Sequence, residues 1–417
     1  MASELAAQAI REAGLCDGLD PVVNEVLTTI RLVDHHVHGV VRERSDDATL
    51  TGMLLGSDRP STVAAAGFET QVWLAVRRWC GPLLRAHAHV APEDYLVARR
   101  AYERLIPIAQ VLLPRAGLDR VIVDDDAGGI DGLGLGSVGG GPRLTSPAET
   151  GALAGARASR VVRLEALADR LICSLTDPAA WPDAFRAAVS GELTGDGPAV
   201  GFQTALAHRA GFDCGLDRPG DDVVSDAAVR WADAVRAAGP GAFPRLADEA
   251  LVRFGIWTAL DTGRPLQVHA GIARSGPVPL SLADPLLLAG FLRATDERAP
   301  IVLLHAYPHQ RSAGYLSRTF PHVYLDLGPV VADAGAASEA IVRESIELAP
   351  FTKVLFSSDA GFVPELHLLG SWLFRRAMSR VLGDWVARGD WSRDDAERAA
   401  RLVGADNARR VYRVPAG

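Results

Sequence analysis

A chain of 417 residues, 48% of them hydrophobic, is long enough for one large α/β domain or two ordinary ones and can fill a substantial core. Its formal net charge of -8 and the absence of any Lys/Arg run argue against nucleic acid or an anionic membrane as the main partner, and favour a small-molecule substrate. No apolar run reaches transmembrane length, and the N-terminal "MASELAAQAIREAGL" is an amphipathic, partly acidic helix unlike a signal peptide, so a cytoplasmic protein is expected. Cys16, Cys80, Cys173 and Cys214 are scattered singly, with neither disulfide-framework nor zinc-ribbon spacing, and read as small core residues.

The first strand is predicted at "RLVDHHVH". Alternation puts Asp34, His36 and His38 on one face and Val33, His35 and Val37 on the other. His36 and His38 are then free to converge on one ion, with Asp34 placed to orient a ring, while His35 is an outer, hydrogen-bonded histidine. "RAHAHV" repeats the spacing at His87 and His89, but its flanks read as helical, where positions two apart diverge by about 200°. Those two are expected at the surface or in packing.

Seven further short β-rich runs follow, each trailed by helical composition: "RVIVDDD", "RVVRLEAL", "AVGFQTA", "LQVHAG", "IVLLHAY", "VYLDLG" and "VLFSSDA". Eight strands alternating with helices predict an α/β fold, a (β/α)8 TIM barrel, with a doubly wound open sheet as the alternative. Polar residues at the C-terminal strand ends favour the barrel: His36 and His38, Asp124, Glu165, Gln203, His269, His305, Asp326 and Asp359. In a barrel those ends meet around one mouth. The expectation is a single domain over 1–417, with residues 40–118 as a helical insertion after the first strand that walls the mouth. Two more helices are predicted between Gln203 and Leu266. The glycine-rich "DDDAGGIDGLGLGSVGGGP" contains GxGxxG at Gly134, Gly136 and Gly139, but Pro142 and "RLTSPAET" follow where a dinucleotide site needs a helix. A mobile loop is expected there.

His269, His305 and Asp359 end the fifth, sixth and eighth strands. With His36 and His38 they are five ligand-type side chains that would point at a common volume in a barrel; three imidazoles and a carboxylate suit a divalent ion with a position open for water, and Zn²⁺ would lower that water's pKa to about 7.

Taken together, "DHHVH", "LQVHAG", "LLHAYPHQRSAGYL", "VYLDLGP" and "LFSSDAGFVPELHLLG" resemble the metal-dependent amidohydrolase superfamily. More narrowly, they are similar to the branch whose members occur alone in bacteria or fused to a glutamine synthetase-like domain. The resemblance runs from about Val33 to "NARRVYRV" and is weakest in the helical insertion. It implies His36, His38, His269 and Asp359 as metal ligands, and His305 as the histidine that acts on water or substrate. One departure stands out: binuclear members carry a carboxylated lysine after the fourth strand, where this chain has Gln203, which cannot form a carbamate. A single ion is therefore expected, zinc with Mn²⁺ or Fe²⁺ as alternatives, unless Glu165 supplies a bridge; the simpler reading of Glu165 in "RVVRLEALADR" is an ion pair with Arg163, two residues away.

The resemblance implies hydrolysis of a C–N bond, an amide of a small carboxylated substrate, with γ-glutamyl amides suggested by analogy alone. His305 and Asp359 are the catalytic pair. Glu165, Gln203, Arg209, Tyr307 and Arg311 are candidates for holding substrate. Non-oxidative decarboxylation by the same residues is the alternative chemistry, and a metal-dependent binding protein without turnover is the alternative class. A homo-oligomer is compatible with everything above.

Overall fold

Each predicted β-rich run forms a strand in the computed structural model, which describes residues 2–56, 67–125, 143–238, 245–272, 279–295 and 298–416. The strands are β1 (Leu32–Val37), β2 (Leu118–Asp124), β3 (Arg157–Arg163), β4 (Gly201–Thr204), β5 (Leu266–His269), β6 (Ile301–Leu304), β7 (Val323–Asp326) and β8 (Val354–Leu355). They hydrogen-bond in chain order from β1 to β8. The pairs β1–β2, β3–β4, β4–β5, β5–β6 and β6–β7 are parallel, as the crossover helices require. Beyond β8 the chain returns to β1: His35 N donates to Phe356 O at 3.3 Å, and Val40 bridges Phe362. The architecture is a (β/α)8 barrel. Strands such as "VIV" in β2 and "IVLL" in β6 are buried along their length, which is why they read as continuous apolar runs instead of alternating ones.

Two compact units divide the chain. The first comprises Met1–Val123, Arg143–Ala158 and Asp326–Gly417; the second comprises Asp124–Pro142 and Ser159–Leu325. In the first, the helix Pro364–Ala387 is buried over most of its surface. Its Arg375 is fully buried and satisfies carbonyls that helix ends leave open. The guanidinium donates to Leu27 O (2.6 Å), Ile30 O (2.8 Å), Gly117 O (3.0 Å) and Ala116 O (3.4 Å). Burial pulls its pKa down to about 10. Gly117, at φ +70°, is required here, because a Cβ would stand 2.8 Å from that guanidinium. Arg375→Met should therefore cost about 3 kcal/mol or more, since several buried carbonyls lose their donor at once. Urea denaturation reads this directly; a shift under about 1 kcal/mol would mean that water replaces the guanidinium.

The second unit packs the helices Trp181–Glu192, Asp221–Ala237 and Glu249–Asp261 around Trp181, Phe185 and Phe254, with Trp181 and Phe185 stacked at 4.6 Å. The last two are the helices predicted between β4 and β5.

Two local expectations change. β3 ends at Arg163, so Glu165 lies in the first turn of the helix Leu164–Ser174 and not at a strand end. "LEALAD" consists mostly of strong helix formers with an acid in the first turn, and these override the preceding β-branched pair. His87 and His89 sit exposed in a turn, with His89 at φ +62°, and not within a helix. Between β1 and β2 the described residues are helical in short pieces, Asp47–Leu55, Gln71–Ala75, Pro92–Glu103 and Ile108–Leu112 among them. The glycine-rich stretch expected to form a mobile loop, 126–142, lies outside the described residues. Among the described residues no helix is long and apolar enough to cross a membrane.

Candidate functional site

In the first unit, β1 and the segment after β8 bring three of the predicted ligands together. Asp359 Oδ1 stands 3.4 Å from His36 Nε2 and 3.4 Å from His38 Nε2. Both distances exceed the 2.7–2.9 Å of a charge-assisted hydrogen bond, yet they match the edge, about 3.3 Å, of a tetrahedron with metal–ligand bonds of about 2.0–2.1 Å. The donor set therefore fits a divalent cation better than a direct ion pair. All three side chains are buried or nearly so.

The backbone holds Asp359 in place at φ +46°, a left-handed conformation uncommon for a residue with a side chain. Asp359 N donates to His36 O (3.1 Å), and His38 N donates to Ala360 O (2.7 Å). Asp34 ties the same turn from below, accepting from Ser358 N at 3.0 Å. Burial pushes the Asp34 carboxyl up to about 7, against the opposing hydrogen bonds from Ser358 and the His36 amide. Gly361 is needed for close approach, since a Cβ there would lie 2.9 Å from the Cβ of His38. His35 points the other way, with Nδ1 3.1 Å from Tyr412 Oη and Nε2 3.6 Å from Asp326, as an outer, hydrogen-bonded histidine should.

Two features of this unit escaped the sequence reading. His367, on the helix that follows Asp359, is buried beside His38, and burial together with that neighbour pushes its pKa down to about 3. Glu365 accepts from Tyr95 Oη (3.1 Å) and Arg99 Nε (2.5 Å) in a buried trio. Both residues stand in "PELHLL", where their apolar neighbours disguise them as core. Trp73 and Tyr95 are fully buried and pack edge to face at 5.9 Å, so they belong to the interior of this unit.

In the second unit, His269 and His305 lie with ring centroids 4.7 Å apart, and His208 packs on His269 at 4.1 Å. His269 Nε2 lies 2.9 Å from Ile272 O and donates to it, which fixes the ring's orientation. His305 is fully buried and, like Asp359, left-handed, at φ +59°. Strained backbone at two of the predicted catalytic positions marks them out from the rest of the strand ends. Gly271 permits the close packing here, because a Cβ would fall 2.5 Å from His305 O. His208, four residues beyond the end of β4, was missed; a histidine so soon after a strand end was the available signal.

The remaining candidates separate. Glu165 is buried, with Oε1 accepting from Thr204 Oγ1 (2.6 Å) and Ala205 N (3.0 Å). Burial raises its pKa in spite of those bonds and the positive field of Arg209. Arg163, expected as its ion-pair partner, donates instead to Asp124 at 2.6 and 3.2 Å. Thr204 follows Gln203 on β4, so Glu165 is engaged on the face of that strand opposite Gln203. Gln203 is fully buried, and neither its Oε1 nor its Nε2 has a hydrogen-bond partner among the described residues. Tyr307 is partly exposed; its carbonyl accepts from Ile272 N at 2.8 Å. Arg311 is exposed in the first turn of the helix Gln310–Thr319.

The amidohydrolase family profile matches residues 203–414, just over half of the chain and the part that carries His269, His305 and Asp359. The chain belongs to the amidohydrolase family. The protein fluG of Emericella nidulans is 30% identical over 282 residues, which is 61% of this chain and 32% of that protein. The chain thus spans about a third of the length of this curated relative. Among solved structures, a Lactobacillus casei ATCC 334 protein provisionally described as a metal-dependent hydrolase superposes with a TM-score of 0.77 at 22% identity, covering 95% of this chain and 98% of that one. Uronate isomerase of Thermotoga maritima gives a TM-score of 0.59 at 14% identity (94% and 97% covered), and glucuronate isomerase of Caulobacter crescentus gives 0.61 at 13% (95% and 96%). Those likenesses carry the fold. Family membership, with His/Asp groups spaced to hold a cation, makes this amidohydrolase-family chain an enzyme that uses a divalent metal.

Proposed function

We propose that the chain hydrolyses a C–N bond, an amide of a small carboxylated substrate, with one divalent ion, zinc by preference, at His36, His38, His269 and Asp359. The observation that carries this reading is Asp359 Oδ1 at 3.4 Å from both imidazole nitrogens, on a residue in the left-handed region. His269, which ends β5, is included as the fifth-strand ligand that the family resemblance implies. An ion held there supplies Lewis acidity, polarising a carbonyl and making water more acidic.

The chain's own residues do the proton work. His305 orients the attacking water and the charge that develops on it. As the water oxygen bonds to the carbonyl carbon, Asp359 accepts its proton; as the C–N bond breaks, Asp359 delivers that proton to the leaving nitrogen. A carboxylate in the metal shell can do both because it changes protonation state without leaving the site.

Incubation with γ-glutamyl amides and with aromatic carboxylic acids separates the chemistries: ammonia or amine release is expected, and carbon dioxide release would replace hydrolysis by decarboxylation. Binding of both classes without any product would leave a binding protein.

Stoichiometry follows from Gln203. Two adjacent dications need an anionic bridge, which a neutral amide cannot provide. Glu165 is already engaged by Thr204 and Ala205 on the other face of β4. Elemental analysis after gel filtration in metal-free buffer should return close to one equivalent, and Glu165→Gln should retain it. Two tightly held equivalents, one of them lost in Glu165→Gln, would make the site binuclear.

A further inference from the structure

Buried polar side chains are almost always hydrogen-bonded, and leaving one unmet costs about 1–3 kcal/mol per group. Gln203 is fully buried, and both ends of its amide are unmet among the described residues. The register places it beside Arg163 on β3 and Gln267 on β5, so these three share a face of the sheet. His269, two residues past Gln267, shares that face too. Arg163 is committed to Asp124 and does not turn to its neighbour. A side chain chosen only for packing at this place would be leucine or methionine, which fill the same volume at no polar cost. The amide therefore has an occupant to meet.

Its chemistry narrows the occupant. Gln203 offers a donor and an acceptor side by side with no charge. A carboxylate, which only accepts, would satisfy Nε2 and set its own negative oxygen against Oε1. A carboxamide satisfies both ends through two antiparallel N–H···O bonds. We propose that Gln203 is a specificity-determining residue that reads a primary carboxamide of the ligand, the amide group itself and not the carboxylate that accompanies it. This rests on the hydrolase reading for the location of the ligand, and it replaces the role of a charged strand-end residue with neutral recognition. A buried water is the competing occupant.

The test uses metal-loaded protein, with glutaramate as the carboxamide probe and glutarate as its acceptor-only counterpart. Calorimetric titration should show wild type binding glutaramate at least tenfold more tightly than glutarate. Gln203→Leu should lose that preference while its ligand-free Tm rises by about 2–4 °C, because an unmet amide has been removed from the interior. Gln203→Met serves as the second variant if the branched side chain disturbs folding. Equal affinities in wild type, or a preference that survives in both variants, would overturn the assignment and leave water as the occupant. Ammonia is followed in the same samples. Preferential binding without ammonia release would sink amide hydrolysis and keep Gln203 as the reader of the carboxamide; ammonia release with an unchanged KM in Gln203→Leu would do the reverse.

Discussion

His36→Ala is expected to reduce the bound metal from about one equivalent to near none and to take catalysis below detection. His36 and His38 are the two neutral nitrogen donors of the first unit, each 3.4 Å from Asp359 Oδ1. Of the four proposed ligands only three would remain, the fewest with which zinc sites are built, and without the His36–Asp359 pair the weakened set should not hold the ion through gel filtration. The side chain is buried at the end of β1, so far-ultraviolet circular dichroism must first show an intact barrel. Chelator dialysis of the unaltered chain gives the same endpoint without a mutation, and readdition of zinc should restore activity there but not in His36→Ala. Full metal content in the folded variant would place the ion elsewhere.

His305→Asn should lose about 10² to 10⁴ in kcat with metal content unchanged, the range typical of a general acid–base group. Asparagine keeps a donor at a similar reach but cannot exchange a proton near neutral pH. The left-handed backbone at His305 suits this substitution, because asparagine tolerates positive φ better than most residues, so a folding defect should not obscure the kinetics. Metal analysis decides the role. A fall in metal content that tracks the fall in activity would make His305 a ligand, and the water-orienting role would pass to another residue.

These two substitutions test residues that were visible in the sequence, and the reason is geometric. A parallel barrel puts strand C-termini at one end, so a short β-rich run ended by His or Asp announces its place before any coordinates exist. β1, β5, β6 and the β8 segment were legible in that way, with His36, His38, His269, His305 and Asp359 at or just past their ends. Glu165 was misplaced because β-branched Val161 and Val162 and the helix-forming "LEALAD" adjoin with no breaker between them, and propensity alone does not locate the boundary within two residues. His208, His367 and Glu365 were overlooked because their neighbours in the chain are apolar or unremarkable.

The sequence by itself determined the barrel and the amidohydrolase resemblance, because these depend on period, order and residue chemistry, and it was through the resemblance that Gln203 stood out where a lysine was expected. Only the tertiary structure decided three other matters. It placed Asp359 Oδ1 at equal distance from two imidazoles, since that depends on a left-handed turn held by hydrogen bonds to β1. It assigned Glu165 to Thr204 and Arg163 to Asp124, exchanging the partners that adjacency along the chain suggested. And it left the Gln203 amide without a hydrogen-bond partner among the described residues, which no local pattern can reveal, because whether a buried group is satisfied depends on what every neighbouring strand brings beside it.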